Sequence, residues 1–159
     1  MDKDTSEGLS MEGIAPHQKQ NTMKRMFIIM TTLLIAISSY AQVEIFTLTK
    51  PQLETRIRNQ FPNALVTTLD QSIVMMQMGV TALYTFENGN PFMSVLTYIP
   101  ETASAANTLT ESMKENFYFH SLIGGKDMLY VNRNDYNYNC VIEINNKTQL
   151  PMLRFFYDD

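Results

Sequence analysis

The order of hydrophobic periods along the chain predicts an α+β fold: helix, strands, helix, strands, with an antiparallel meander sheet and two helices packed on one face. Three observations carry this expectation. Leu53, Ile57 and Phe61 recur at i, i+4, i+8, and Ala106, Leu109, Met113 and Phe117 step by three and four, both signatures of an amphipathic helix. Between and after these stretches the period changes to two, as in strands with one buried face. Asn- and Gly-rich punctuation separates the alternating runs, as antiparallel meanders require.

The first helix is expected over 50–61. Thr49 stands three residues before Gln52, the spacing of a capping box, and Pro51 is tolerated in a first turn. Glu54, Arg56, Arg58 and Asn59 take the outer face, and Pro62 ends the helix. Strands follow at 65–69, 73–78, 80–87 and 92–99. In the third, Val80, Ala82, Tyr84 and Phe86 share one face, and Glu87-Asn88-Gly89-Asn90 is expected to form a hairpin turn of type I′. A second helix is expected over 102–119, with Thr102 and Thr108 as alternative N-caps, and Gly124-Gly125 closes that region. His120 then falls at a helix C-terminus, where it would complement the helix dipole or stand on the surface. Further strands are expected at 128–132, 138–144 and 149–157. Pro151 cannot donate to a ladder, which places that last strand or its start at a sheet edge.

The two halves superpose at an offset of 58 residues. Val80, Ala82, Tyr84 and Phe86 then fall on Tyr138, Cys140, Ile142 and Ile144, Phe61 on Phe119, and Asn88 on Asn146. This is a hint of a duplicated helix-plus-meander unit, although alternation alone produces many such coincidences.

Residues 23–41 have the layout of a secretory signal. Lys24 and Arg25 form the positive region, 26–37 the apolar run, and Ser39-Tyr40-Ala41 the small-residue site, with cleavage expected before Gln42. An apolar run of about 12 residues is short against the roughly 20 needed to span a bilayer. Thr31, Thr32, Ser38 and Ser39 dilute it further, which argues against a retained anchor. Residues 1–22 are polar and acidic, read either as a disordered leader or as the product of a start called too early, translation beginning at Met23. Residues 42–159 then form a single secreted or periplasmic domain.

That stretch carries 8 Lys and Arg against 12 Asp and Glu, within a whole-chain net charge of −4. It lacks the basic stripe that nucleic acid demands. Cys140 is the chain's one cysteine, so no internal disulfide supports the fold. No zinc-ligand spacing or calcium loop occurs, and no cofactor is expected. Gly124-Gly125-Lys126 lacks the remainder of a phosphate loop. A Cys–His nucleophile would need His120 and Cys140 together, but Cys140 shares an apolar face with Ile142 and Ile144. A small hydrolase is accordingly the weaker reading, and no catalytic residue is assigned. Met75, Met76 and Met78 are read as core filling ahead of an adaptable groove.

The stretch 130–139 alternates Tyr and Asn, pairing flat amphipathic rings with adaptable amides, the chemistry that paratopes use. Tyr130, Asn134, Tyr136, Asn137 and Tyr138 are therefore the candidate binding residues for a protein or glycan partner. The plainer alternative is an Asn-rich turn between core tyrosines.

A helix running into Phe61-Pro62-Asn63-Ala64-Leu65-Val66 and then a meander resembles the opening of PepSY-like modules, small secreted bacterial domains of β-lactamase-inhibitor-like layout. The likeness covers residues 50–89. It implies a non-enzymatic periplasmic or secreted module that inhibits or chaperones another protein, and it transfers no functional residue. The alternative is a subunit of a surface assembly that pairs through an edge strand. N-terminal sequencing of the exported protein is expected to begin at Gln42, and a peptide from residues 2–22 in the unprocessed chain would exclude a start at Met23.

Overall fold

The computed structural model describes residues 44–158; the leader 1–22, the signal segment 23–41 and its cleavage point lie outside them. The elements run α1 (Lys50–Gln60), β1 (Leu65–Thr68), β2 (Ser72–Gln77), β3 (Val80–Phe86), β4 (Met93–Pro100), α2 (Ala103–Asn116), β5 (Phe117–Ile123), β6 (Asp127–Asn132), β7 (Tyr138–Ile144) and β8 (Pro151–Tyr157). All eight strands form one antiparallel sheet in the order β1-β2-β3-β4-β8-β7-β6-β5. This order is a palindrome of two four-stranded meanders, which meet where β4 pairs with β8.

Each helix is set by its first turn and by one apolar stripe. At α1, Gln52 Oε1 accepts from the Thr49 N–H at 2.9 Å and from the Thr49 hydroxyl at 2.8 Å, satisfying a donor the helix leaves orphaned. Leu53 and Ile57 are buried, and Phe61 closes the helix by donating its N–H to the Ile57 carbonyl. At α2, Thr102 is the N-cap, its hydroxyl accepting from the Ala105 N–H at 3.2 Å. Ala105, Ala106, Leu109 and Met113 face inward.

The second helix is shorter than its periodicity indicates. It ends at Asn116, and Phe117 opens β5, a strand the helical reading absorbed. The cause is a shared residue: Phe117 completes the helical apolar stripe and also begins the strand. His120 consequently lies on β5, beside a register shift between Phe119 and Ser121, and not at a helix terminus.

The turns differ from expectation in an instructive way. Type I′ needs positive φ at both central residues. Gly89 has φ +81°, but Asn88 does not share that region, and the β3–β4 connection is a longer loop over 87–92. Both-positive geometry occurs instead at Met78 (φ +47°) and Gly79 (φ +77°), the two-residue link between β2 and β3. Pro151 separates the two alternatives, the strand as a whole being central and only its start an edge. β8 lies in the middle of the sheet, and Pro151 occupies its first position, outside the β4 register, which begins at Tyr98↔Leu153. No ladder bond is asked of its missing N–H.

One buried cluster gathers Leu53 and Ile57 of α1, Leu109 and Met113 of α2, and the inward residues of β2, β3, β4, β7 and β8. Across the β4–β8 seam, Leu96 faces Phe155 and Tyr98 faces Leu153. Phe155 packs against Phe117 (ring centroids 5.7 Å), Tyr98 (5.9 Å) and Tyr138 (5.9 Å), so residues from both meanders and α2's end converge on one ring. Val80, Ala82 and Tyr84 occupy in β3 the inward positions that Tyr138, Cys140 and Ile142 occupy in β7, but the fourth match fails, since Phe86 is buried and Ile144 exposed. Phe61 corresponds to Phe117 and not to Phe119, because each of that pair closes its helix.

Phe155→Ala is expected to cost about 3–5 kcal/mol by leaving a cavity at the seam, whereas Pro151→Ala stays within about 1 kcal/mol, both read from urea unfolding. Burial pushes the hydroxyls of Tyr84, Tyr98 and Tyr138 well above their ordinary value. Stability from these groups is therefore fully present below the unfolded tyrosine value of about 10 and is lost as pH rises above it, the unfolded chain ionising first. In an alkaline titration the share of tyrosinate absorbance that belongs to these three buried rings is expected to appear only together with unfolding.

Candidate binding surface at one end of the sheet

Strand direction brings several loops to one end of the sheet. β4 begins there and β8 ends there, so the 87–92 loop lies beside residues 157–158. β6 ends and β7 begins at the same end, which adds the loop 133–137. The chain enters α1 here too, since Thr49 forms an isolated bridge with Phe92.

A groove of about 700 Å³ opens among these segments. Phe46, Phe92, Val95, Phe156 and Tyr157 give it apolar walls, and Glu87, Asn90, Ser94 and Arg154 supply polar groups. Its shape is held by local bonds. Ser94 Oγ accepts from the Glu87 N–H at 3.2 Å, and Asn90 Oδ1 accepts from the Phe92 N–H at 2.9 Å. Phe46 is wedged edge-on against Tyr138 and Tyr157, each 5.6 Å away. Arg154 donates to Glu143 at 3.0 Å, which steadies the one guanidinium that reaches the groove. A smaller cleft of about 330 Å³ adjoins it, sharing Glu87 and Asn90 and reaching Lys50 and Asp70.

The loop 133–137 is tied to this groove. Asn132, almost fully buried, accepts at Oδ1 from the N–H groups of Asn134 (2.8 Å) and Asp135 (3.1 Å). Asp135 Oδ1 in turn accepts from the Asn137 N–H at 3.1 Å, a second Asx turn. Asp135 Oδ2 accepts from the hydroxyl of Tyr157, a groove wall. Burial first, and then this bond and the carboxylate's charge, push the Tyr157 hydroxyl well above its ordinary value, so it stays a donor. Asn137 O accepts from the Asp158 N–H at 2.8 Å. The loop is thus pinned from within, from β8 and from the residue after it.

The five sequence-predicted binding residues separate here into two groups. Asn134, Tyr136 and Asn137 are exposed, and Tyr136 is 71% accessible at the loop's tip. Tyr130 and Tyr138 stand in the core, Tyr138 with no accessible surface, and cannot touch a partner directly. Their alternation with Asn is the pattern of two strands entering and leaving a turn. The groove residues were not visible in the sequence as a set, because Phe46, Phe92 and the β8 residues Arg154 and Tyr157 come from three separate segments. The nearest signal was the Asn-Pro pair preceding Phe92, which marks a loop.

Catalytic chemistry finds no support in this arrangement. Cys140 is fully buried with its thiol pushed well above the usual value by that burial, which keeps it protonated and inert. His120 is exposed on β5, with β6 between it and Cys140's strand. Among the described residues no group of three or more His, Cys, Asp or Glu is placed to hold a metal ion, and no helix is long and apolar enough to cross a membrane. Comparison with family models, with curated proteins and with solved structures yields no match.

Asn132→Ala is expected to free the Asn134 and Asp135 N–H groups, speeding their hydrogen exchange and costing about 1–2 kcal/mol, with the exchange of the β3 and β4 amides otherwise changed only by that global loss.

Proposed function

We propose that the chain is a non-catalytic secreted or periplasmic binding module that meets a protein or glycan partner at the groove end of its sheet. In this reading both helices cover one face of the sheet and serve as support, and recognition falls to the loops. The observation that carries it is the pinned loop 133–137, which presents a 71%-accessible Tyr136 beside an aromatic-walled groove. The loop backbone that carries this ring is held by Asx turns and by the Tyr157–Asp135 bond before it meets a partner, so binding forfeits little backbone entropy. Asn134 and Asn137 flank it with amides able to donate and accept, which suits sugar hydroxyls and peptide groups alike. Inhibition of a partner would follow from occupying that partner's own cleft.

The test compares wild-type protein with a Tyr136→Ala, Phe92→Ser variant, by glycan-array binding and by cross-linked capture from the native compartment. Loss of the same partner from the double variant is expected, with stability within about 0.5 kcal/mol for the Tyr136 change alone, as for an exposed side chain. Undiminished binding by the double variant would overturn this placement of the site.

A further inference from the structure

We infer that Asn88 is a site of self-modification, its side-chain amide closing on the Gly89 nitrogen and reopening as an aspartate or isoaspartate. The chemistry belongs to the 87–92 loop itself and holds whatever the groove binds.

Asparagine is a thermolabile residue. Its decay in a folded chain needs an exposed amide, a following backbone nitrogen free to attack it, and room for the ring that forms. Asn88 meets each need. It is exposed, as are its neighbours Glu87 and Gly89. Among the described residues the Gly89 N–H donates to no group, although the Asn90 N–H beyond it reaches the Glu87 carbonyl at 3.1 Å. Gly89 has no side chain to crowd the approach, and even a Cβ placed there would meet nothing within 4 Å. The β3–β4 register closes at Phe86 and Met93, so neither Asn88 nor Gly89 is held in a ladder.

The Asn88 amide is held from one side only. Its Oδ1 accepts from Gln71 Nε2, which draws electron density from the carbonyl carbon and stabilises the oxyanion that attack creates. Its Nδ2, the leaving group, donates to no group among the described residues.

Other loop asparagines lack a free nucleophile. The N–H after Asn63 is taken by the Phe61 carbonyl at 3.0 Å, and that after Asn137 by the Asp135 carbonyl at 3.1 Å. The N–H after Asn134 is held by Asn132 at 3.1 Å, and that after Asn146 by Asn145 at 2.9 Å. Asn90 precedes Pro91, which has no N–H. Asn145 is followed by another asparagine, not by glycine, and its Oδ1 is tied to the Lys147 and Thr148 N–H groups.

The Gly89 nitrogen gives its proton to hydroxide and attacks Cγ of Asn88. The N–Cγ bond forms, the Cγ–Nδ2 bond breaks, and Nδ2 leaves as ammonia on taking a proton from water. Water then opens the succinimide at either carbonyl. One opening gives aspartate at position 88, and the other gives isoaspartate, in which the main chain runs through the former side chain. Both products add a carboxylate to the cleft lined by Lys50, Asp70 and Glu87. Isoaspartate also lengthens the backbone between Glu87 and Asn90, two residues of the groove wall.

Purified protein kept in mildly alkaline buffer and digested at intervals is expected to gain about 1 Da in the peptide holding residues 88 and 89, ammonia lost and water gained. This peptide is expected to change ahead of every other asparagine, and electron-based fragmentation to find isoaspartate in it. The native rate should lie within about tenfold of that of the urea-unfolded chain, as for a loop already open to solvent. It should rise with pH, since hydroxide removes the Gly89 proton. Gly89→Ala is expected to slow the gain about tenfold by crowding the nitrogen. Because alanine is strained at φ +81°, Asn88→Gln provides a second variant, expected to abolish the gain at this peptide and leave the others unchanged. A native rate further below that of the unfolded chain overturns the proposal. Faster conversion at another asparagine also overturns it, as does a gain at position 88 indifferent to Gly89→Ala.

Discussion

The contact between β4 and β8 is the constraint on which the sheet depends. Each meander alone is four strands with one helix, a layer too thin to bury both faces of its aromatics. Joined at the seam, Leu96 meets Phe155 and Tyr98 meets Leu153, and Phe155 gains ring contacts with Phe117, Tyr98 and Tyr138. The chain contains a single cysteine, so no internal cross-link supplements that packing. Stability then rests on apolar burial, with the exposed ion pairs such as Lys114–Glu111 contributing little.

The seam also shapes the surface. Because β4 begins and β8 ends at the same place, the groove opens where the two strands meet, among Phe92, Val95, Phe156 and Tyr157. Tyr157 belongs to both structures: its ring stacks on Tyr138 in the interior and its hydroxyl reaches Asp135 in the exposed loop. An end built this way inherits the rigidity of the core, and under the proposed function that favours recognition by preformed shape over recognition by folding on contact.

Much of the architecture was legible in periodicity. The stripes at Leu53, Ile57 and Phe61 and at Leu109 and Met113, and the alternation at Val80–Phe86, are each recorded in their own few residues. At Tyr138–Ile144, by contrast, the period marks a strand whose two faces are both buried as far as Ile142 and whose Ile144 is exposed. What escaped were features set by distant partners. β5 was hidden because Phe117 satisfies helix and strand at once. The central place of β8 was hidden because Pro151 signals an edge unless one knows that β4 leaves its first residues unpaired. Within the candidate site, exposed Tyr136 was readable from the Asn-rich turn around it. The burial of Tyr130 and Tyr138 was legible as the plainer alternative, core tyrosines flanking a turn, but the partners that bury them were not, since these come from β7, β8 and the segment 44–46. The groove was wholly a product of the fold.

The palindromic strand order carries a consequence for how the molecule must be made. Residues 96 and 155 touch across the centre of the sheet, yet everything from α2 to β7 is synthesised between them. Until the eighth strand emerges, each meander offers a naked inner flank, and closure cannot proceed piecewise from the N-terminus. A nascent chain would therefore carry β4 with one flank unpaired through most of its synthesis, and the sheet would close late, when the central strand arrives.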